Sequence, residues 1–289
     1  MAKQTLVMGI DVGGQSTKLG VVDARGNILY QSVISSLQRE LSSYVDDLTT
    51  AIKDLIKKAE NDGEVKGIGI GAPNGNYYKG TIEFAPNLKW AYDENDKPMV
   101  IFFAKMIKDI VGIPVAITND ANAAAVGEMT YGIAKGMKDF IMITLGTGVG
   151  SGIIIGGNIV YGHDGFAGEL GHTIVVRGGR QCNCGRKGCL ETYTSATGVA
   201  RTAREFLAER KDKSLLRSLD VEKITSKDIY DAATKGDKLA IEIFHYTGRI
   251  MGEAFANFVA FSAPEAIILF GGLARSKEFL TESILDAMN

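Results

Sequence analysis

The sequence predicts an α/β protein built from two related units, and three observations lead to that fold class. Gly-rich turns set between short apolar runs occur twice, as DVGGQSTK at 11–18 and LGTGVGSG at 145–152. A pentapeptide recurs almost unchanged after each, GNILY at 26–30 and GNIVY at 157–161. Later in each half a strand-like run ends in glycines, KGIGIGAP at 66–73 and PEAIILFGG at 264–272. Repetition of a turn, a strand motif and a closing strand marks a duplicated supersecondary unit.

Taken in order, TLVMGI at 5–10, LGVVD at 19–23 and ILYQSVI at 28–34 predict three strands, joined by DVGGQSTK and ARGN as turns. From Ser43 to Glu60 the residues Val45, Leu48, Ile52, Leu55, Ile56 and Ala59 recur every three or four positions, which predicts an amphipathic helix. KGIGIGAP and IPVAIT at 113–118 predict buried strands, and NDANAAAVGE at 119–128 opens another helix. Residues 139–162 then repeat strand, Gly-rich turn, strand, tight turn and strand. The predicted domains are a smaller one at 1–118 and a larger one at 119–289. Facing copies place the two Gly-rich turns on opposite sides of one cleft, where backbone N–H groups suit the phosphates of a nucleotide. Neither turn is a P-loop or opens a helix as a Rossmann turn must. Either alone reads better as a tight turn needing positive φ. The pair, with Asp11 beside Gly13 and Gly14, points to a nucleotide.

Composition excludes several classes. The chain of 289 residues is 45% hydrophobic and 23% charged, with a net charge of −2, and its basic residues are scattered, so no electrostatic footprint for nucleic acid exists. The N-terminal MAKQTLVMGIDVGG lacks the apolar core of a signal peptide and no run has bilayer-spanning length, so the chain reads as cytoplasmic and without a membrane partner. A structural disulfide is not expected in that reducing compartment. Yet all three cysteines, Cys182, Cys184 and Cys189, stand within eight positions on a Gly-rich loop. Three sulfurs leave a tetrahedral zinc one ligand short, and His172 in GELGHTIVV is the nearest candidate, giving a closed and therefore structural Cys₃His site. His163 and His245 are expected to have no ligand role.

Carboxylates gather around the same loop. Glu169 precedes His172 by three positions and Glu191 follows Cys189 by two, which suggests a wall that accepts hydrogen bonds from sugar hydroxyls. Each glutamate alone reads as a solvated surface charge. Asn119 and Asp120 follow a strand and precede a helix, a position that suits a general base or, equally, a helix N-cap.

Together, DVGGQSTK, NDANAAAVGE, ITLGTGVGSGIIIGGNIVYG, GELGH and CNCGRKGCLE resemble the ROK family of sugar kinases and sugar-responsive repressors over nearly the whole chain. The resemblance implies the actin-like ATPase (ribonuclease H-like) fold, two related α/β domains around a central cleft. It implies a zinc on His172, Cys182, Cys184 and Cys189, and a sugar bound by Asn87, Asn119, Asp120, Glu169, His172 and Glu191. ATP with Mg²⁺ is expected at Asp11, Gly13, Gly14, Thr17, Lys18, Thr147, Gly148, Gly271 and Gly272, with Asp120 as the catalytic base. The implied reaction is phosphorylation of a hexose at its primary hydroxyl, glucose before fructose, mannose, N-acetylmannosamine or N-acetylglucosamine, in a homodimer. A sugar-sensing repressor is the alternative class, and it requires a helix-turn-helix for which there is no room ahead of Asp11. Gln15 and Asn74 depart from the residues usual in the family, Thr and Gly. Relatives usually continue beyond the equivalent of Asn289, so a C-terminal segment is expected to be missing.

Overall fold

The computed structural model describes residues 3–289. The chain forms two compact units, one running to Gly136 and including Ile159–Ala167, the other comprising Met137–Asn158 and Gly168–Asn289. The first contains β1 (Thr5–Val12), β2 (Ser16–Val22), β3 (Ile28–Ser35), α1 (Leu41–Ala59), β4 (Glu64–Ala72), β5 (Gly75–Asn76), β6 (Thr81–Glu83), β7 (Val100–Ile101), α2 (Phe103–Val111), β8 (Val115–Asn119) and α3 (Asp120–Tyr131). Its main sheet has the order β3-β2-β1-β4-β8. The β1–β2–β3 meander is antiparallel, and β4 and β8 are added parallel to β1.

Alternation explains why these strands form. Leu6, Met8, Ile10 and Val12 of β1 are buried while the intervening residues are exposed, the period-two pattern of a strand with one covered face. The stripe predicted on α1 is buried with them, at Val45, Leu48, Ile52, Leu55 and Ala59. Its first turn contributes Tyr44, which stacks on Trp90 with ring centroids 4.2 Å apart and an interplanar angle of 13°, and Phe103 of α2 lies against both rings. All three rings are buried, so they anchor helix, loop and sheet at one point.

The second unit contains β9 (Phe140–Leu145), β10 (Val149–Ile155), α4 (Glu191–Thr194), α5 (Ala196–Glu209), α6 (Ser226–Ala233), α7 (Lys238–Ser262), β12 (Ala266–Phe270) and α8 (Lys277–Met288), and β11 (Asn158–Ile159) begins at its last residue before the 159–167 segment. Its sheet order is β11-β10-β9-β12, with β10 antiparallel and β12 parallel to β9. That is the order β3-β2-β1-β4 over again, so the duplication read from GNILY and GNIVY and from the two glycine-ended strands is present in the sheets themselves. Helices α7 and α8 meet through Gly252, where a Cβ would stand 2.3 Å from the Ile284 carbonyl oxygen. Only glycine permits that approach. Among the described residues no helix is long and apolar enough to cross a membrane.

Replacing Trp90 by Ala removes the central ring of the Tyr44–Trp90–Phe103 stack and is expected to cost ~3–5 kcal/mol. Urea unfolding followed by circular dichroism measures this directly, and a loss below ~1 kcal/mol would mean the stack is not the anchor described.

Candidate functional site

In the first unit the predicted residues converge on the carboxyl ends of β1, β4 and β8. Asn119 caps α3, its Oδ1 accepting the Ala121 N–H at 2.8 Å. The N-cap therefore falls to Asn119 and not to Asp120. Asp120 is the first helical residue, and its own Oδ1 also accepts from Ala121 N–H at 2.8 Å. Its side chain reaches solvent, yet the surrounding protein desolvates it enough to raise its carboxyl above the ordinary value. The Ala121 hydrogen bond opposes that rise, and the negative charge of Asp11 adds to it. Asp11 at the end of β1 and Asp120 at the start of α3 are close enough to feel each other's charge, and carboxylate oxygens are the hard donors that suit Mg²⁺. Asp11 also sits 3.9 Å from Lys18 across the β1–β2 pair, both groups well exposed.

The β1–β2 turn differs in detail from the sequence reading. Gly13 N–H donates to the Ser16 carbonyl at 3.1 Å, so that amide closes the turn instead of pointing at a ligand. Gly14 lies where a Cβ would be 2.9 Å from the Asn87 carbonyl oxygen, which sets the PNLKW segment and exposed Asn87 directly on the turn. Thr17 does not stand in a position to contact phosphate. It is fully buried, and its hydroxyl is shared with Ser36 Oγ at 2.8 Å and the Tyr44 hydroxyl at 2.6 Å. Strand alternation decides this: Thr17 falls on the face that also carries Leu19 and Val21. The departure at Asn74 is explained by backbone conformation. Its φ is 52°, a left-handed value that Asn tolerates best after Gly, and its Nδ2 donates to the Glu83 carbonyl at 2.9 Å.

In the second unit His172, Cys182, Cys184 and Cys189 bring their ligand atoms within 4.8 Å of one another. Cys184 and Cys189 sulfurs are 3.6 Å apart, as are Cys182 Sγ and His172 Nδ1. Zn–S bonds of ~2.3 Å at tetrahedral angles separate sulfurs by about 3.8 Å, so the donor set fits zinc in both chemistry and spacing. All three thiols are free. Burial pushes Cys182 and Cys189 up, whereas at Cys184 hydrogen bonds from Arg186 outweigh burial and hold the thiol down to about 6.

Glu191 starts α4 between this cluster and the second Gly-rich turn. Its Oε1 accepts from Cys182 Sγ at 3.1 Å and lies 3.8 Å from His172 Nδ1. Its Oε2 is 3.4 Å from Val149 N and presses on Gly148. The GELGH segment is held by the same unit: Ser151 Oγ donates to the Gly168 carbonyl and accepts from Leu170 N–H at 3.1 Å. That fixes exposed Glu169 and half-buried His172 at either end of a single helical turn. Gly271 lies too close to the Leu145 carbonyl for any Cβ, at 2.5 Å and with φ of 105°, so the strand junction itself demands glycine there; Gly272 is open.

Three residues that hold this region escaped the sequence reading. Thr197 Oγ1 donates to the Thr147 carbonyl at 2.8 Å, and Ser195 caps α5 while its own Oγ donates to the Glu191 carbonyl at 2.6 Å. Buried Arg180 donates to the carbonyls of Thr192 and Gly198, to Thr202 Oγ1 and to Glu205, with its guanidinium 4.4 Å from the Tyr193 ring centroid. The Ser-Ala-Thr-Gly run after Glu191 is an N-cap signal that marks Ser195. Nothing local marks Arg180.

A sequence model of the ROK family matches residues 7–289. The chain belongs to the ROK family. A glucokinase of Halalkalibacterium halodurans is 37% identical over 287 residues, covering 96% of this chain and 83% of that protein. A ROK glucokinase from Streptomyces griseus, solved in complex with glucose and AMPPNP, is 34% identical with a TM-score of 0.77, covering 98% of this chain and 88% of that one. A ROK transcriptional regulator homologous to E. coli Mlc superposes with a TM-score of 0.86 at 25% identity, over 99% of this chain and 70% of that one. The duplicated sheets are accordingly those of the actin-like ATPase fold.

Protein purified without chelator is expected to carry one zinc per chain by elemental analysis, and Cys189→Ser to lose it. A metal-free wild type whose thiols react freely with a disulfide reagent would show that the cluster holds no ion.

Proposed function

We propose that the protein is a glucokinase, transferring the γ-phosphoryl group of ATP to the primary hydroxyl of glucose. The observation that carries this reading is Asp120: a carboxylate at the start of α3, solvent-accessible, raised above its ordinary value and close enough to Asp11 to feel its charge. A carboxylate whose pKa is raised is a stronger base, better matched to taking a proton from an alcohol as it attacks. The glucokinase relatives, one of them bound to glucose and an ATP analogue, name the substrates.

In the proposed reaction the hydroxyl oxygen attacks the γ-phosphorus in line, the bond to the β–γ bridging oxygen breaks, ADP leaves and Asp120 accepts the proton. In this reading Asn87, Asn119, Asp120, Glu169, His172 and Glu191 are the sugar-binding residues, their amides, carboxylates and imidazole suited to hydrogen bonds with sugar hydroxyls. Asn119 also caps α3, so its orientation is already fixed before sugar arrives. Asp11, Gly14, Lys18, Thr147, Gly148 and Gly272 are the nucleotide contacts retained in this reading. Asp11 holds Mg²⁺, which when bound neutralises charge on the phosphates. Zinc on His172, Cys182, Cys184 and Cys189 holds the loop that presents His172 and Glu191. Free thiols as metal ligands suit a reducing cytoplasm, and a homodimer completes the reading. The similarity to the transcriptional regulator supports a second reading, a sugar-binding sensor without turnover.

Coupled ADP release with Mg-ATP separates the two, using glucose, mannose, fructose and the two N-acetylhexosamines as acceptors. Glucose-dependent turnover is expected to fall by ~10²–10⁴-fold in Asp120→Ala. No turnover with any sugar from folded, zinc-loaded protein would favour the sensor. The pH profile gives an independent check. Asp120 must be ionised to act, and its carboxyl is raised, so the acid limb of kcat/KM should lie above the ordinary value of 3.8 and vanish in Asp120→Ala. A limb at or below that value would remove Asp120 as the base.

A further inference from the structure

Three tyrosines from two distant segments of the first unit form an aromatic platform that the reaction above leaves unused. Tyr77 stacks on Tyr161 with centroids 4.5 Å apart and rings 4° from parallel. Tyr78 sets an edge against both, at 6.0 Å and 5.7 Å. Core packing does not account for the group, because Tyr77 is 49% and Tyr78 59% exposed. Nor is it a loose surface feature. Asn76, fully buried, donates from Nδ2 to the Asp164 carbonyl at 2.8 Å and accepts at Oδ1 from Tyr78 N–H and Lys79 N–H. It therefore locks the Tyr77–Tyr78 hairpin to the segment that carries Tyr161.

The platform stands at the carboxyl end of β8. Gly75 lies so close to Thr118 that a Cβ would meet its carbonyl oxygen at 2.3 Å. The Tyr161 hydroxyl faces the buried Thr118 hydroxyl, which ties the platform to the end of this strand. Thr118 is two residues before Asp120, and at a strand rise of ~3.3 Å per residue the two are about 7 Å apart, roughly one hexose length. The aromatic surface thus begins about where a hexose ends if its primary hydroxyl lies at Asp120. Rings with an apolar face and a polar tip are suited to the C–H face and hydroxyl rim of a pyranose or an aryl ring.

We propose that Tyr77, Tyr78 and Tyr161 form an acceptor subsite that stacks on a ring joined to the glucosyl unit, so that glucosides and disaccharides with a free primary hydroxyl are phosphorylated as well as glucose. The proposal rests on the sugar-kinase reading and adds a substrate class to it. The chemistry is unchanged, with the glucosyl primary hydroxyl attacking the γ-phosphorus, ADP leaving and Asp120 taking the proton.

The test compares KM for methyl β-glucoside, p-nitrophenyl β-glucoside and cellobiose in the full chain, with glucose as reference, for wild type, Tyr77→Ala and Tyr77→Phe. The aryl glucoside and cellobiose should each bind ~3–10-fold more tightly than the methyl glucoside in wild type. Tyr77→Ala should bring that ratio close to one and Tyr77→Phe should keep it; the ratio cancels any general damage to the site. Equal KM values in wild type, a ratio that survives Tyr77→Ala, or turnover of glucose with rejection of every glucoside would each overturn the subsite while leaving the kinase. Should wild type phosphorylate nothing, the kinase reading fails and the subsite is judged separately, by calorimetric affinity for the same aryl and methyl pair in the same variants.

Discussion

One carboxylate ties the chemistry of the second unit together. Glu191 touches the cysteine cluster with one oxygen and the second Gly-rich turn with the other. Neither contact is strong alone, the one to Val149 N being at the outer limit of a hydrogen bond. Their importance is geometric, because a side chain held at both carboxylate oxygens links the loop to the turn and restrains both. The residues that follow reinforce it. Ser195 returns a hydrogen bond to the Glu191 carbonyl, Ala196 N–H holds the Gly146 carbonyl at 2.9 Å, and Thr197 holds that of Thr147. A Gly-rich turn has much backbone entropy to lose on ordering, and these carbonyl tethers order it.

Such tethering needs a fixed anchor, and the loop at 173–190 has few apolar residues with which to build one. Two things replace a core. The first is the Cys₃His donor set, since a structural zinc stabilises a fold outright by binding only the assembled site. The second is Arg180, a buried cation that satisfies two carbonyls, a hydroxyl and Glu205 at once while lying over the Tyr193 ring. A buried charge is costly unless its hydrogen bonds are met, and here the donors run from the cysteine loop to α4 and α5. The arrangement makes the orientation of Glu191 a property of the whole loop.

Much of this was legible from sequence because it depends on short-range signals. The meander of β1 to β3, the α1 stripe and the recurrence of the pattern at β9 to β11 all follow from periodicity and from glycine at turns. The metal cluster was legible because cysteine is rare and all three stand together. Signals that depend on facing or on remote partners were not. Thr17 adjoins the phosphate motif in sequence but points into the core, since adjacent strand residues face opposite ways and a motif match carries no facing. Asn119 and Asp120 present the same difficulty at a helix start, where only geometry assigned the cap. Arg180 takes its meaning from Glu205 and Thr202, more than twenty positions away. Helix α7 carries a buried stripe at Ala240, Phe244, Thr247, Met251, Ala254 and Phe258, with Glu242, Arg249, Glu253 and Asn257 outside it, an amphipathic period that the sequence reading passed over.

The duplication also shows why the two Gly-rich turns take different shapes. Each lies between the first and second strands of an equivalent sheet, and symmetry alone would make them alike. In the first turn Gly13 N–H closes on Ser16 and the backbone of Asn87 rests on Gly14, so its shape is set by its own hydrogen bond and by the neighbouring PNLKW segment. In the second, Gly146 N–H closes on Gly148, while α5 and Glu191 hold the outside. The hairpins are therefore a common inheritance, and what distinguishes them comes from the segments inserted after each. One insertion brings Asn87 and the aromatic residues around β5, the other brings the metal loop and the start of α5. The repeat thus fixes a pair of hairpins, while the side chains around them belong to inserted segments that the repeat does not constrain.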